Sequence, residues 1–346
     1  MKRIIPLCLA LIMTVGLLAG CGKQNEQTAS DKTRLRVVTT IFPEYDWVRE
    51  ILGDKAENAE VTMLLDNGVD LHSYQPTADD IIQISDCDLF IYVGGESDGW
   101  VDDALKNVSN KNQRVINLID VLGESVKTEE MVEGMQETEH DHDHEEDHDH
   151  KEDHDHEEDH DHEEEEEPEY DEHVWLSLKN AEILVSAISG ALQEIDPEHK
   201  DVYSTNAAAY IEKLSALDDG YRQTVETAST KTVLFGDRFP FRYLVDDYGL
   251  SYHAAFAGCS AETEASFETI SFLANKVDEL KLPCVLTIEG TQHKIAETIV
   301  QNTAEKNQKI VTMDSMQSTT SEDVANGTTY LSVMEKNLAV LKQALG

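Results

Sequence analysis

Short apolar runs alternate with amphipathic stretches twice along this chain, with an acidic tract and one long periodic segment between the two alternations. Strand–helix–strand units of that kind build parallel sheets covered by helices on both faces. The first alternation predicts strands at 35–40, 61–65 and 89–93 and helices at 43–52 and 77–85, with apolar runs at 101–108 and 115–119 continuing it. Gly53 stands as a C-terminal stop, and Thr77-Ala78-Asp79-Asp80 is close to a capping box. The second predicts strands at 232–235, 252–256, 285–288 and 309–313 and helices at 241–248, 267–280, 296–304 and 329–345. A chain of 346 residues is long enough for two cores of about 100–150 residues each.

Residues 197–227 form the longest periodic segment. Tyr203, Ala207, Tyr210, Leu214, Leu217, Tyr221 and Val225 recur at spacings of three and four, which makes one apolar stripe on a helix. Asp196 and Pro197 suit its N-cap and first helical position. About 30 residues at a rise of 1.5 Å span about 45 Å, enough to run the height of two lobes. The expected architecture is therefore α/β: two lobes, each with a mostly parallel sheet flanked by helices, joined by one long rigid helix. The N-terminal lobe is placed at 35–196, the connecting helix at 197–228 and the C-terminal lobe at 229–346.

Residues 129–172 hold almost no apolar side chains and cannot offset the entropy of ordering, so 129–170 is expected to be a disordered insertion in the first lobe. Much of the net charge of −43 sits there. That charge excludes nucleic acid as a partner and fits a cation, but it says little about the folded surface. Nine histidines, His140, His142, His144, His148, His150, His154, His156, His160 and His162, are interleaved with Asp and Glu. Neutral imidazoles on a flexible chain chelate zinc weakly and with little geometric selectivity. The alternative is an acidic solvated tract with no specific role. Protonation near an ordinary imidazole pKa of about 6.5 weakens such capture in acid. His144 to His148 and His156 to His160 also match H-E-x-x-H, but that motif works only on an ordered helix packed against a core. Here the flanks are acidic repeats, and no enzyme is expected.

At the N-terminus, Lys2 and Arg3 precede an apolar stretch over 4–18, and Leu18-Ala19-Gly20-Cys21 resembles a bacterial lipobox. The stretch is too short and wrongly flanked for a membrane span. Residues 1–20 are expected to be a lipoprotein signal peptide, with a lipidated Cys21 and a polar linker over 21–34 tethering the protein to the outer face of the cell membrane. An ordinary secretory signal with a chance cysteine is the alternative. Cys87, Cys259 and Cys284 are odd in number and lack CxxC spacing, so no disulfide framework is expected and the three are read as buried thiols.

Ligands of open parallel sheets bind beyond the carboxyl ends of the strands. That rule selects His72 after the second strand, Asp237 after Leu234-Phe235, Glu289 after the 285–288 strand, and Asp314 after Met313. Imidazole with carboxylate suits zinc, and less selectively manganese or iron.

Val38-Thr39-Thr40-Ile41-Phe42-Pro43, Asp70-Leu71-His72-Ser73-Tyr74-Gln75-Pro76, Asp171-Glu172-His173-Val174-Trp175-Leu176 and Glu212-Lys213-Leu214-Ser215-Ala216-Leu217-Asp218 resemble the zinc- and manganese-uptake solute-binding lipoproteins of ABC importers. The likeness covers nearly the whole mature chain apart from the insertion. Its most specific piece is the pair of blocks around His72 and His173 on either side of the His-rich stretch. The resemblance implies two β/α lobes meeting across a rigid helix, with His72 and His173 as metal ligands from the first lobe and Asp314 as a carboxylate from the second. It also reveals a departure. Where the family carries His or Glu before Phe241-Arg242-Tyr243, this chain has Arg238, whose guanidinium stays protonated and cannot ligate a cation. Asp237 one residue earlier, Glu289 or water would complete the sphere, and Arg238 would pair with a nearby carboxylate. The function implied is capture of Zn²⁺ outside the membrane and delivery to an ABC permease and its ATPase, by a monomer. The alternatives are a manganese-specific subunit of the same kind and a surface metal buffer or adhesin without a transport role.

Overall fold

A computed structural model describes residues 34–136, 169–260, 264–290 and 293–346. The expected signal peptide, the lipidation site Cys21, the linker up to residue 33 and the nine clustered histidines all lie outside these residues.

The first sheet is built from β1 (Leu35–Thr39), β2 (Ala59–Met63), β3 (Leu89–Tyr92) and β4 (Arg114–Asn117), in the order β2-β1-β3-β4 and parallel throughout. Its crossovers contain α1 (Phe42–Leu52), α2 (Ala78–Asp86) and α3 (Val101–Leu105), and α4 (Leu118–Leu122) follows β4. Thr77 caps α2: its hydroxyl accepts from Asp80 N at 3.2 Å, while the Asp80 carboxylate accepts from Thr77 N at 2.8 Å. Trp47, Val48 and Ile51 on α1 are fully buried, each such side chain contributing about 1.5–3 kcal/mol.

An 18-residue helix, α5 (Leu178–Ile195), lies where the sequence singles out no element. Ser177 starts it by accepting from Asn180 N at 3.1 Å. Next comes α6 (Lys200–Thr227), whose 28 residues span about 42 Å. It begins three residues after Pro197, because Asp196 is engaged by its neighbours: its Oδ2 lies 2.6 Å from His199 Nδ1 and accepts from the Tyr203 hydroxyl at 2.7 Å. Six of the seven stripe residues on α6 are buried, and Leu217 is half-buried. The helix touches both halves of the molecule. Asn206 donates to Ile51 O at 3.0 Å, and Tyr221 donates to Met334 O at 2.6 Å.

The second sheet comprises β5 (Thr232–Phe239), β6 (Ser251–Ala257), β7 (Cys284–Thr287) and β8 (Lys309–Thr312), ordered β6-β5-β7-β8 and again parallel. Around it lie α7 (Arg242–Tyr248), α8 (Phe267–Leu280), α9 (Lys294–Asn302), α10 (Ser321–Ala325) and α11 (Tyr330–Leu345). Residues of both sheets, α1, α5, α6 and α11 share one contiguous apolar core. A second, smaller cluster packs α8 and α9 on the far face of the second sheet. Each sheet reverses direction of growth between its first and third strands in chain order, so each has a crevice at its carboxyl edge.

Two expectations need correction. Asp237 was placed in a loop after β5, yet it sits within the strand, which runs to Phe239 across a register shift between Phe235 and Arg238. Such a bulge re-aims side chains without ending the strand. Residues 129–136, assigned to the disordered insertion, are instead ordered against β6. Gln136 N donates to Ala255 O at 3.0 Å, the Tyr252 hydroxyl donates to Glu130 at 3.2 Å, and Met135 is buried. β6 is an edge strand, and this segment covers part of that edge.

Candidate metal centre

His72 lies on a single helical turn, Leu71–Ser73, in the long connection after β2. Buried Leu71 anchors the turn, and Asp70 caps it by accepting from His72 N at 3.0 Å. On the His72 ring, Nδ1 lies 2.8 Å from Ser97 Oγ and 3.3 Å from Glu172 Oε2. Glu172 in turn accepts from Ser97 N at 2.8 Å. Burial works to raise the Glu172 carboxyl, but His72 and the Ser97 donors outweigh it and hold it below the ordinary carboxylate range.

His173 is completely buried at the start of the turn Val174–Leu176, whose three side chains are all fully enclosed. Asp171 Oδ1 accepts from His173 N at 2.9 Å and lies 3.0 Å from its Nδ1. The turn is tied to the second lobe at several points. Trp175 Nε1 donates to Ser315 O at 2.9 Å, Tyr330 donates to Trp175 O at 2.6 Å, and Tyr243 donates to Asp171 O at 2.8 Å.

The result is convergence. The Nε2 atoms of His72 and His173 are 3.2 Å apart. Two imidazole nitrogens bound at about 2.0–2.1 Å to one tetrahedral zinc stand about 3.3 Å apart. Each ring turns its Nδ1 toward a carboxylate, the arrangement that fixes the tautomer and leaves Nε2 for the metal. Gly258 permits the close packing behind His173, since a Cβ there would sit 3.1 Å from His173 Cε1 and 2.9 Å from Phe239 O.

Among the described residues, one group of three or more His, Cys, Asp or Glu donors lies within 4.8 Å of one another: His72, His173 and Cys259. Cys259 follows β6, and its backbone N–H donates to Glu129 at 2.9 Å. Burial, reinforced by Glu129, Asp171 and Glu172, pushes its thiol well up, while the Glu172 backbone N–H bonded to it acts in the opposite sense. Gln317 completes the surroundings. With its nitrogen donating to Asp70 at 2.7 and 3.2 Å, its amide oxygen stands 2.7 Å from His173 Nε2, in the space beside the imidazole pair.

The carboxylates of the second lobe lie outside that donor group. Glu289 is committed to the loop after β8: it accepts from Ser315 N at 2.7 Å, Ser315 Oγ at 2.6 Å and Gln317 N at 3.1 Å. Asp314 accepts from Met316 N at 2.8 Å, and burial together with Glu289 pushes it up to about 6. Asp237 accepts from Arg238 N at 3.0 Å and Ile288 N at 3.4 Å, with its pKa raised by burial. Asp237 and Glu289 line a cavity of about 840 Å³ with Asp70, Arg238 and Lys294. Arg238 pairs with Asp70, so the departure noted in the sequence ends in an ion pair between the two lobes. Cys259 and Gln317 were missed. No spacing motif marks the cysteine, and a neutral amide carries no metal signature in sequence.

A second cavity, of about 290 Å³, opens beside His72 and Cys259 and is lined by Glu129, Glu169 and Glu172. Glu169 is the first described residue after the His-rich tract.

Residues 37–344 match the family model described as the periplasmic component A of the zinc-uptake complex, ZnuA. The zinc-binding lipoprotein AdcA of Streptococcus pneumoniae serotype 4 is 33% identical over 343 residues, which is 99% of this chain and 61% of AdcA. The chain thus spans about three fifths of that relative's length. The high-affinity zinc uptake system protein ZnuA of Bacillus subtilis is 31% identical over 331 residues, 95% of this chain and 94% of that one. Among solved structures, the Zn(II)-bound ZnuA-like domain of Streptococcus pneumoniae AdcA superposes with a TM-score of 0.66 at 28% identity, covering 90% of this chain and 99% of the domain. The metal-dependent lipoprotein YcdH of Bacillus subtilis gives a TM-score of 0.67 at 27% identity, over 90% of this chain and 99% of that one. With its whole folded length matched and its two lobes superposed on theirs, this chain belongs to the ZnuA family of zinc-uptake binding proteins.

Proposed function

We propose that the protein is the extracytoplasmic solute-binding subunit of an ABC importer, that it captures Zn²⁺ between its lobes, and that it delivers the ion to a permease driven by an ATPase. The observation that carries this reading is the 3.2 Å approach of His72 Nε2 to His173 Nε2, with a carboxylate beside each far nitrogen. Two oriented imidazoles favour zinc over manganese, which prefers oxygen donors. The zinc-binding relatives support the same cargo.

In this reading Asp314, Asp237 and Glu289 give the second lobe its negative wall rather than its first bond to the ion. The nine histidines act as an auxiliary collector, feeding the acidic cavity that Glu169 lines. Cys21 carries the lipid that keeps a monomer at the outer face of the membrane. The protein moves its cargo unchanged and catalyses no reaction.

Titration calorimetry on a chain lacking residues 137–168 tests the assignment. One tight zinc per chain is expected, and it should vanish in the His72→Ala/His173→Ala double variant. Unchanged affinity in that variant removes the site. If instead the full chain binds several weak zinc ions, all lost with the deletion, the protein is a metal buffer.

A further inference from the structure

We infer that Cys259 binds the captured ion through its sulfur, as the third protein ligand beside His72 and His173, and that this donor sets a preference for zinc over manganese. The inference rests on the capture reading above and adds the ligand that the second lobe supplies.

Placement comes first. The donor atoms of Cys259, His72 and His173 all lie within 4.8 Å of one another, and no described Asp or Glu joins them. A tetrahedral zinc with Zn–S of about 2.3 Å and Zn–N of about 2.0–2.1 Å holds sulfur and nitrogen about 3.6 Å apart. The sphere closes when the sulfur approaches both nitrogens to that separation. The ion then joins the lobes directly, because both histidines precede α6 and Cys259 follows β6.

Asp314 lies outside the donor group, and two other second-lobe positions are otherwise engaged. Arg238 occupies a position where an acceptor would serve, and it is paired with Asp70. Glu289 spends both oxygens on Ser315 and Gln317.

The surroundings of the sulfur are those of a ligand rather than of a packing thiol. Cys87 donates to Ile84 O at 3.2 Å inside the first lobe, and Cys284 sits against Gln343 O. Cys259 instead borders the acidic cavity beside His72. Its backbone N–H donates to Glu129 at 2.9 Å. That bond fixes the backbone that carries the sulfur. On binding, a sulfur–metal bond forms, the thiol proton leaves to solvent, and nothing is oxidised or reduced. A thiolate favours zinc and softer ions over manganese.

The test loads the full mature chain with one equivalent of Co²⁺ or Zn²⁺. Cobalt should give a sulfur-to-metal charge-transfer band that Cys259→Ser abolishes. Zinc should protect Cys259, and not Cys87 or Cys284 specifically, from alkylation mapped by peptide mass spectrometry. Loss of a direct ligand should exceed the 10–100-fold typical of an outer partner, so Cys259→Ser should lower zinc affinity by about 100-fold or more. Cys259→Asp should narrow the gap between zinc and manganese. If one tight zinc binds through His72 and His173 with no charge-transfer band and no protection, Cys259 is not a ligand, and the capture reading stands. If no tight site exists, both fall. Should Cys259→Ser not fold, the band and the protection in the natural chain still decide.

Discussion

Arg238 of the second lobe pairs with Asp70 of the first, and the other oxygen of Asp70 caps the turn that carries His72. Both side chains are only 20% exposed, so the pair is shielded from solvent but not sealed. Removing one partner leaves the other charge poorly compensated, a loss larger than the pair's own net worth. Arg238→Ala is expected to lower unfolding free energy by about 1–3 kcal/mol. Arg238→Ala with Asp70→Asn should cost clearly less than the sum of the single variants. Urea unfolding of the three metal-free variants measures that coupling, and additive losses would show that the pair does not connect the lobes energetically.

Asp171 grips His173 twice, at the backbone and at Nδ1. An outer partner of this kind typically contributes 10–100-fold to metal affinity. Asp171→Asn keeps the volume and loses the charge, so zinc affinity should fall about 10-fold or more while the melting temperature of the metal-free protein changes little. Competition against a chromogenic chelator gives the affinity. An unaltered value would mean that the ring needs no carboxylate to present Nε2.

Several elements could be read directly from residue order, and their physics explains why. The α6 stripe was legible because helical periodicity over 28 residues has few rival explanations. The His72 and His173 blocks were legible because each packs an imidazole, its capping acid and its apolar anchors into one short segment. Asp237 was misplaced because the register shift between Phe235 and Arg238, at Gly236, carries β5 on to Phe239, beyond the apolar run that marked the strand in sequence. Residues 129–136 looked solvated because their few apolar side chains, Met131, Val132 and Met135, show no period, yet they need only cover one edge of β6. Cys259 stayed hidden for a different reason: its partners lie far away in sequence and meet it only through the pairing of the lobes.

Glu44 provides a stability prediction with a defined sign. Its side chain is fully buried at the start of α1, accepting from Thr40 N at 2.8 Å and Ile41 N at 3.2 Å. Burial, with Asp98 nearby, pushes it from 4.5 up to about 8. Between those values the folded protein holds a proton that the unfolded chain has released, so stability falls as pH rises through this window. Below about pH 4.5 both states are protonated, and the penalty is absent. Glu44→Gln should flatten the decline between pH 5 and 8 and leave the variant more stable than the natural chain at pH 8. Denaturant unfolding of the metal-free proteins at pH 5, 6.5 and 8 checks this, and parallel curves would mean Glu44 is ionised throughout.

Gly95 links backbone geometry to the metal centre. It follows β3 at a φ of +83°, in the left-handed region, and a Cβ there would overlap the carboxylate of Glu172. Two separate costs follow from Gly95→Ala. The backbone conformation alone costs about 1–2 kcal/mol for a residue with a side chain. The added methyl also drives Glu172 away from Ser97 and from His72 Nδ1, which removes the charge that turns His72 Nε2 toward His173 and, in the proposed function, toward the ion. The variant should therefore lose both stability and zinc affinity, the latter by about 10-fold. Glu172→Gln separates the two effects, since it should reproduce much of the affinity loss while leaving the backbone at Gly95 unstrained. If Gly95→Ala loses stability but binds zinc as tightly as the natural chain, then Glu172 does not orient His72, and the second carboxylate of the centre serves the fold alone.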